Sequence, residues 1–235
     1  MKEININLSE ISNTFTLMLR HDTTYFIKNE IPNFIKDKCN NNYVQLGDYV
    51  KRLRSGEYIP KNTYSDKETN YVYLTIGNFS GEEINLDELT FLDETVGKDF
   101  EKIQVNDGNL IITRSGTVGS VHIFKRPDEK IYIPSHHLAV IDFTENNEGG
   151  VKFLEYYLKS EFPRKFFWSF ATGKSQKEIS NWSIKSLPIP WCKDPSKVSF
   201  KCSKLETKIK NLQKEILCYK KDFDSQLWKA IKENR

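Results

Sequence analysis

Long apolar runs, paired cysteines and an apolar leader are missing from this sequence of 235 residues. No stretch approaches the roughly 18–20 apolar residues that a membrane-spanning helix needs. The four cysteines, Cys39, Cys192, Cys202 and Cys218, are far apart and include no Cys-x-x-Cys pair, which argues against a disulfide framework or a zinc knuckle. The N-terminal residues MKEININLSE lack the basic-then-apolar order of a secretory signal. The sequence therefore predicts a cytoplasmic protein without a membrane segment.

Motifs for nucleotide binding and catalysis are also missing. A phosphate-binding P-loop needs a glycine five residues before Gly173, and Trp168 stands there. The pair His136-His137 is the one histidine cluster, and neighbours on a strand point to opposite faces, which is wrong for chelating one ion. No Gly-x-Ser-x-Gly nucleophile motif occurs. We therefore expect no catalytic site, metal or cofactor in this chain.

Charge is unevenly distributed, although the formal net charge is only +3. Residues 82–107 carry nine acidic and two basic side chains, whereas residues 50–62 carry four basic and one acidic. Residues 197–235 carry eleven basic and five acidic side chains. A nearly neutral protein with basic patches can bind nucleic acid, because the partner responds to the local field. Chance clustering of surface charge is the alternative at this point.

Apolar periodicity predicts a mixture of strands and helices. Strands are expected at 71–76, 110–113 and 120–124, as a pair around Pro134, and along the extended segment SIKSLPIPW as an edge strand. Helical spacing appears at 25–35 and at 153–170, with an interruption at Pro163. Between two strands, Gly116 and Gly119 resemble a phosphate cradle, but no helical pattern follows that could place a helix N-terminus at a phosphate. This segment is therefore not predicted to bind a nucleotide.

The last forty residues follow a different pattern. From Val198 to Phe223, apolar side chains recur at alternating spacings of four and three, which is a heptad seam with lysines and glutamates on the other faces. A helix from about 196 to 234 would be roughly 55–60 Å long. A hairpin folding back on the core is the alternative, but no glycine or proline follows Pro195. We therefore expect pairing with another helix through Leu205, Ile209, Leu212, Ile216, Tyr219 and Phe223.

Six motifs in order carry a resemblance to a known family. The succession is QLGDYVKRLRSG, YVYLTIGNFSGEEIN, DGNLIITRSGTVGSVHIF, PSHHLAVI, EYYLKS and TGKSQKEISNWSIKSLPIP, and the long heptad helix follows. It resembles the target-recognition domain of type I restriction–modification specificity subunits over about residues 43–235. The stretch RHDTTYF is similar to the lead-in of these domains. Two departures are that WCKDPSKVSF replaces the usual run before the helix, and that the chain has room for one recognition domain where full subunits have two.

The resemblance implies the fold, the domain division and the partners. The fold would be α+β, a twisted mixed β core with peripheral helices followed by a long C-terminal coiled-coil helix. The divisions would be a lead-in at 1–42, a target-recognition domain at 43–195 and a pairing helix at 196–235. The chain would be non-catalytic and would bind double-stranded DNA. An adenine-N6 methyltransferase subunit would carry S-adenosylmethionine, and a motor-nuclease subunit would use ATP and Mg²⁺ for cleavage. A homodimer through the helix is the other expected assembly.

The expected DNA contacts lie in three segments. The polar stretch 56–70 follows a basic cluster and is long for a structureless loop, which favours a role in base reading. In the RSGTVG segment the resemblance implies a glycine-shaped turn whose flanking polar residues face DNA. The basic, amide-bearing loop at 174–177 offers phosphate and base-edge contacts. The predicted contact residues are Arg52, Arg54, Tyr58, Lys61, Asn62, Tyr64, Arg114, Ser115, Lys174, Ser175, Gln176 and Lys177.

Several alternatives remain at this stage. The chain is a natural half-subunit, a fragment of a longer subunit, or the detached recognition domain of a fused methyltransferase-nuclease. From another class, it is a non-catalytic interaction protein whose helix joins a larger complex. The long helix pairs either with a second copy or with a methyltransferase subunit.

Overall fold

The computed structural model describes residues 26–79, 83–143, 148–173 and 176–233. Within these ranges the chain forms ten β-strands, seven α-helices, a π-helical turn at Phe26–Glu30 and several short 3₁₀ turns. The strands are β1 Tyr43–Gln45, β2 Arg52–Ser55, β3 Tyr64–Ser65, β4 Tyr71–Leu74, β5 Thr90–Leu92, β6 Leu110–Thr113, β7 Val121–Ile123, β8 Ile131–Pro134, β9 Leu138–Asp142 and β10 Pro188–Pro190. The α-helices are α1 Ile31–Asp37, α2 Leu46–Tyr49, α3 Glu94–Phe100, α4 Glu148–Lys159, α5 Glu161–Phe170, α6 Asn181–Lys185 and α7 Pro195–Glu233.

Two four-stranded sheets form the centre of the molecule. The first has the order β2-β9-β6-β7 and is antiparallel throughout. The second has the order β3-β5-β4-β8, in which β4 and β8 are parallel and the other pairs are antiparallel. The β core is therefore mixed, as expected from the sequence, and helices lie around it.

Alternation along the strands divides the core into layers. On β6, Leu110 and Ile112 pack with the helices α4, α5 and α6, whereas Ile111 points the other way into the space between the two sheets. On β4, Val72 and Leu74 point into that same space, and the ring of Tyr73 packs on the outer side of the second sheet. Because successive strand residues face opposite sides, each sheet carries an apolar layer on both faces. The two sheets thus pack face to face, with helices beyond the first sheet.

A small two-stranded sheet closes the helical side of the molecule. Strand β1 pairs antiparallel with β10, and Leu46 N donates to Leu187 O directly beside this pair. The hydroxyl of Tyr157 on α4 donates to Pro188 O. Strand β10 contains two prolines and is thus an edge strand, because proline has no backbone N–H to donate to a second neighbouring strand. The preceding residues Asn181–Lys185 form helix α6 instead of continuing the strand.

The C-terminal helix α7 runs over 39 residues, from Pro195 to Glu233. Its first turns pack on α4, where Ser199 is buried and the Tyr156 hydroxyl donates to Glu206 Oε2 at 2.6 Å. Beyond these turns the apolar seam is exposed in this single chain, from Leu205 at 61% to Phe223 at 66%. None of the helices in the described part of the chain combines the length and apolar character of a membrane span.

Two local predictions were wrong. The stretch 56–70 is not structureless, because Ile59 is buried, a 3₁₀ turn forms at Lys61–Thr63, and β3 pairs with β5. The strands on either side of Pro134 do not form one pair but belong to different sheets, β8 to the second and β9 to the first. Both errors concern partners that lie far away in sequence, which local periodicity does not reveal.

Gly56 is the residue at which the chain crosses from one sheet to the other. It follows β2 of the first sheet, and a Cβ built on it would lie 2.0 Å from Pro134 O at the end of β8 in the second. The neighbouring Glu57 N donates to that same Pro134 O at 3.1 Å. Only a residue without a side chain allows the two backbones to approach this closely.

We predict that Gly56→Ala lowers the free energy of unfolding by about 3 kcal/mol, because the new methyl group would overlap backbone atoms that cannot move independently. The matched control is Gly77→Ala, whose Cβ would meet only Thr75 Oγ1, at 3.5 Å, and whose cost should stay within about 0.5 kcal/mol. Urea denaturation of both variants measures the difference. Equal stability of the two variants would contradict the assigned packing.

Candidate nucleic-acid interface

Three turns and the end of one strand meet at one surface beside the sheet junction. Ser115 and Glu178 form a β-bridge, as do Glu178 and Thr172, and Glu57 bridges Ser135. The first two bridges join the turn after β6 to the loop before α6, and the third joins the turn between β8 and β9 to the segment that follows β2. Arg114 N donates to His137 O at 2.7 Å and connects the two groups. We call this surface the junction site and define it by residues 55–58, 114–115, 135–137 and 176–181.

Arg114 holds the junction site together. Its Nη1 donates to Ser55 Oγ at 2.8 Å and to His136 O at 3.0 Å. Its Nε donates to Ile179 O at 3.1 Å, and its Nη2 pairs with Glu178 Oε1 at 2.9 Å. The guanidinium group is planar with donors in a fixed fork, so one side chain can fix several segments at once. The Arg114 side chain is 16% exposed.

The β6–β7 turn beside Arg114 is shaped by glycine, as the sequence predicted. Gly116 and Gly119 have positive φ values of 67° and 81°, a region that most side chains avoid. The Thr113 hydroxyl donates to Thr117 O across the turn. The turn therefore presents Arg114 and Ser115 to the junction site through its geometry.

Arg54 is likewise engaged within the protein. Its guanidinium donates to Ile103 O at 2.7 Å and to Gln104 O at 2.8 Å, and it pairs with Asp142 at 3.3 Å. These contacts link β2 to β9 and to the segment before β6. A DNA contact by Arg54 or Arg114 would have to compete with these bonds, and it stays a prediction.

Three rings, those of Tyr58, His136 and His137, lie side by side in the junction site, and we call this row the aromatic ladder. The ring centroids of Tyr58 and His136 are 5.4 Å apart in an edge-to-face arrangement, and those of His136 and His137 are 3.8 Å apart. Tyr58 is 66% exposed. His137 Nδ1 lies 2.6 Å from Ser115 Oγ, and burial, followed by the field of His136, lowers the pKa of His137. The lowered pKa keeps His137 neutral near pH 7, so the ladder offers aromatic faces and polar edges together.

The two histidines contact each other because they lie in a turn. The sequence argument placed them on a strand, with rings on opposite faces, and that placement was wrong. Within the described ranges, no group of three or more His, Cys, Asp or Glu side chains has a geometry that could hold a metal ion.

Unpartnered polar atoms concentrate at this site. Among the described residues, three buried side-chain atoms have no hydrogen-bond partner, namely Ser135 Oγ, His136 Nδ1 and Asn181 Oδ1. All three belong to the junction site, and Asn181 Nδ2 donates to the same Ser55 Oγ that accepts from Arg114. A buried polar group without a partner costs on the order of 1–3 kcal/mol, so a cluster of them at one surface indicates unused binding capacity.

The predicted contact residues are distributed between two places. Tyr58, Arg114, Ser115, Gln176 and Lys177 lie in the junction site, and Gln176 and Lys177 are exposed there. Arg52 is exposed on β2 at the far end from Ser55. The contact predictions for Lys174 and Ser175 lie outside the described residues.

The remaining predicted contacts lie beside the second sheet. Lys61 and Asn62 are exposed in the 3₁₀ turn, where Thr63 O accepts from Asp93 N. Tyr64 is half-buried, its hydroxyl donating to Ile59 O and its ring packing on Tyr73. Lys61 and Asn62 therefore lie at the edge of the second sheet, outside the junction site, whereas Tyr64 borders that site through its bond to Ile59, the residue after Tyr58.

Three further residues of the junction site were not predicted. His136 was considered only as a metal ligand, and neither Ser55 nor Asn181 was singled out. The sequence carried a weak signal for Asn181 in its place after the loop 174–177, within the motif that supports the family resemblance. Nothing in the sequence indicated that Arg114 would donate to Ser55 and His136, or that Asn181 would donate to the same Ser55 oxygen.

A comparison with known protein families identifies the family of this chain. A model of the type I restriction modification DNA specificity domain matches residues 39–234. No curated protein matches the chain in a sequence comparison.

Solved structures share the fold at low sequence identity. A chain from a structure on complex assembly and conformational transition of the type I R-M system is 14% identical, with a TM-score of 0.57. The match covers 88% of this chain and 50% of that chain. The HsdS subunit from Thermoanaerobacter tengcongensis is 13% identical at a TM-score of 0.50, and the match covers 87% of this chain and 51% of that one.

A third similar structure comes from a different kind of protein. The type IIG restriction endonuclease BpuSI is 11% identical at a TM-score of 0.50, and the match covers 68% of this chain and 25% of that one. The chain thus spans about half the length of the similar type I R-M chains and a quarter of the endonuclease. Because the family model matches from residue 39 to residue 234, the chain belongs to the type I restriction modification DNA specificity domain family.

Proposed function

We propose that this chain recognises a specific sequence in double-stranded DNA for a type I restriction–modification system, in the cytoplasm. The family match over residues 39–234 is the observation that carries the proposal. The convergence of Tyr58, Gln176 and Lys177 on one exposed surface supports it. Base edges are read by polar and aromatic side chains, and phosphates are bound by lysine and arginine, so this surface has both kinds of group.

The proposed role is non-catalytic. The chain directs an adenine-N6 methyltransferase subunit to its target, and that subunit binds S-adenosylmethionine. A motor-nuclease subunit joins for cleavage and uses ATP with Mg²⁺. Recognition fixes the position at which the methyltransferase turns the adenine out of the duplex.

The exposed seam of α7 is the proposed assembly surface. Its side chains Leu205, Ile209 and Leu212 are 61%, 55% and 47% exposed in the single chain. Heptad seams of this kind bury their apolar residues against another helix. The partner helix comes from a second copy or from the methyltransferase subunit.

We predict that Lys177→Ala weakens binding to all DNA sequences alike and reduces the slope of log affinity against log salt by about one, because a lysine–phosphate contact releases one counterion. Fluorescence anisotropy of labelled duplexes at several salt concentrations measures both quantities. Lys98→Ala is the matched control, since Lys98 is exposed on α3 beside the second sheet. If the two variants behave alike, Lys177 does not contact phosphate.

We predict that Ile209→Asp abolishes assembly through α7, because it places an unpaired charge in the buried seam at a cost of several kcal/mol, about 3 or more. Asn211→Asp adds the same charge at an exposed position outside the seam and should leave assembly unchanged. Light scattering detects a second copy, and co-purification detects a methyltransferase subunit. Normal assembly of the Ile209 variant in both measurements would contradict the role of the seam.

We predict that cells carrying the gene contain N6-methyladenine at one DNA motif and that deletion of the gene removes it. Single-molecule sequencing of genomic DNA reports the motif and the modified base together. Complementation with the wild-type chain should restore methylation, and complementation with the Ile209→Asp variant should not. An unchanged methylation pattern after deletion would contradict the proposed function.

A further inference from the structure

Two of the three residues with unpartnered atoms, Asn181 and His136, are linked to Arg114. Asn181 Nδ2 donates to Ser55 Oγ at 2.8 Å, and Arg114 Nη1 donates to the same oxygen at 2.8 Å. Arg114 Nη1 also donates to the backbone oxygen of His136 at 3.0 Å. Asn181 is therefore bonded to Ser55, and the backbone of His136 is bonded to Arg114. The ring of Tyr58 lies against the ring of His136.

These groups have the chemistry of base recognition. A carboxamide can pair with adenine through two hydrogen bonds, donating to N7 and accepting from the N6 amino group. The exposed ring of Tyr58 supplies an aromatic face beside His136, and His136 supplies a second polar edge. Resting on the proposed function, we propose that Asn181, with His136 and Tyr58, reads one adenine of the recognised sequence, and that Arg114 is the positioning residue that holds them.

The unbound state favours this contact. Asn181 Oδ1 is buried without a partner, although the residue as a whole is half-buried. Rotation about χ1 moves the whole amide, so it can turn both the oxygen and the nitrogen outward. This rotation gives up the bond to Ser55 Oγ, which keeps its bond from Arg114, and offers Oδ1 to the amino group and Nδ2 to N7 of an adenine. Binding thus satisfies an acceptor that the free protein leaves unpaired, whereas a base without an amino group at that place leaves it unpaired.

The test uses the full-length chain and a library of random double-stranded DNA. Bound DNA is selected and sequenced for the wild type and for Asn181→Asp, Asn181→Ala and His136→Ala, and thermal unfolding confirms that each variant folds. A carboxylate is acceptor-only and pairs with the N4 amino group of cytosine. We expect Asn181→Asp to change the preferred base at one position from adenine to cytosine and to leave the other positions unchanged.

The alanine variants cover the case in which a carboxylate near Arg114 disturbs the fold. Asn181→Ala should reduce the preference for adenine at that one position by about tenfold or more, and His136→Ala should reduce it at the same position. Affinity for unselected DNA should not change in either variant.

Three outcomes are distinguishable. A shift in preference at one position supports the inference. An unchanged motif in all variants, or a uniform loss of affinity with the same motif, overturns it and leaves the proposed function standing. A wild-type chain that selects no motif and shows no salt-dependent binding overturns the proposed function itself.

Discussion

The set of hydrogen bonds made by the Arg114 guanidinium group is the interaction on which the junction site depends. The group reaches Ser55 at the end of β2, His136 in the turn before β9, and Glu178 and Ile179 before α6. In sequence, Arg114 lies 59 residues from Ser55, 22 from His136 and 64 from Glu178, and strand pairing alone would not hold these side chains in register. Since hydrogen bonds to a charged donor are stronger than neutral ones, one residue can fix this geometry. Arg114 thus fixes the shape of this surface by its hydrogen bonds, in addition to contributing a positive charge.

The sequence predicted elements with strong local patterns. The long helix, the strand at 110–113 and the helices interrupted near Pro163 follow from apolar spacing and from proline at a helix start, and the structure contains them. The family resemblance came from motif order and was confirmed by the family match. Pairing between β3 and β5, and the separation of β8 from β9, depend on contacts between distant residues. Such contacts leave no periodic signal in a single sequence.

The candidate site could be predicted only in part, for a related reason. Residue type identified Tyr58, Gln176 and Lys177 as surface groups suited to DNA, and all three lie in one place. Residue type could not distinguish an arginine that faces solvent from one bonded to carbonyl oxygens, as Arg54 is to Ile103 and Gln104. Residue type did not single out Asn181. Its position in the site became evident only because Asn181 Nδ2 and Arg114 Nη1 donate to the same Ser55 oxygen.

Helix α7 has a mechanical consequence that follows from where it is attached. Contacts with α4 end near Glu206, and from there to Glu233 about 27 residues extend for roughly 40 Å. The direction of the helix is therefore set by a few contacts in its N-terminal turns. A substitution at Tyr156, which donates to Glu206 near the start of the helix, would change the angle of the whole helix and displace whatever is bound near Phe223. The position of the C-terminal end of α7 relative to the domain is thus set by contacts inside the domain.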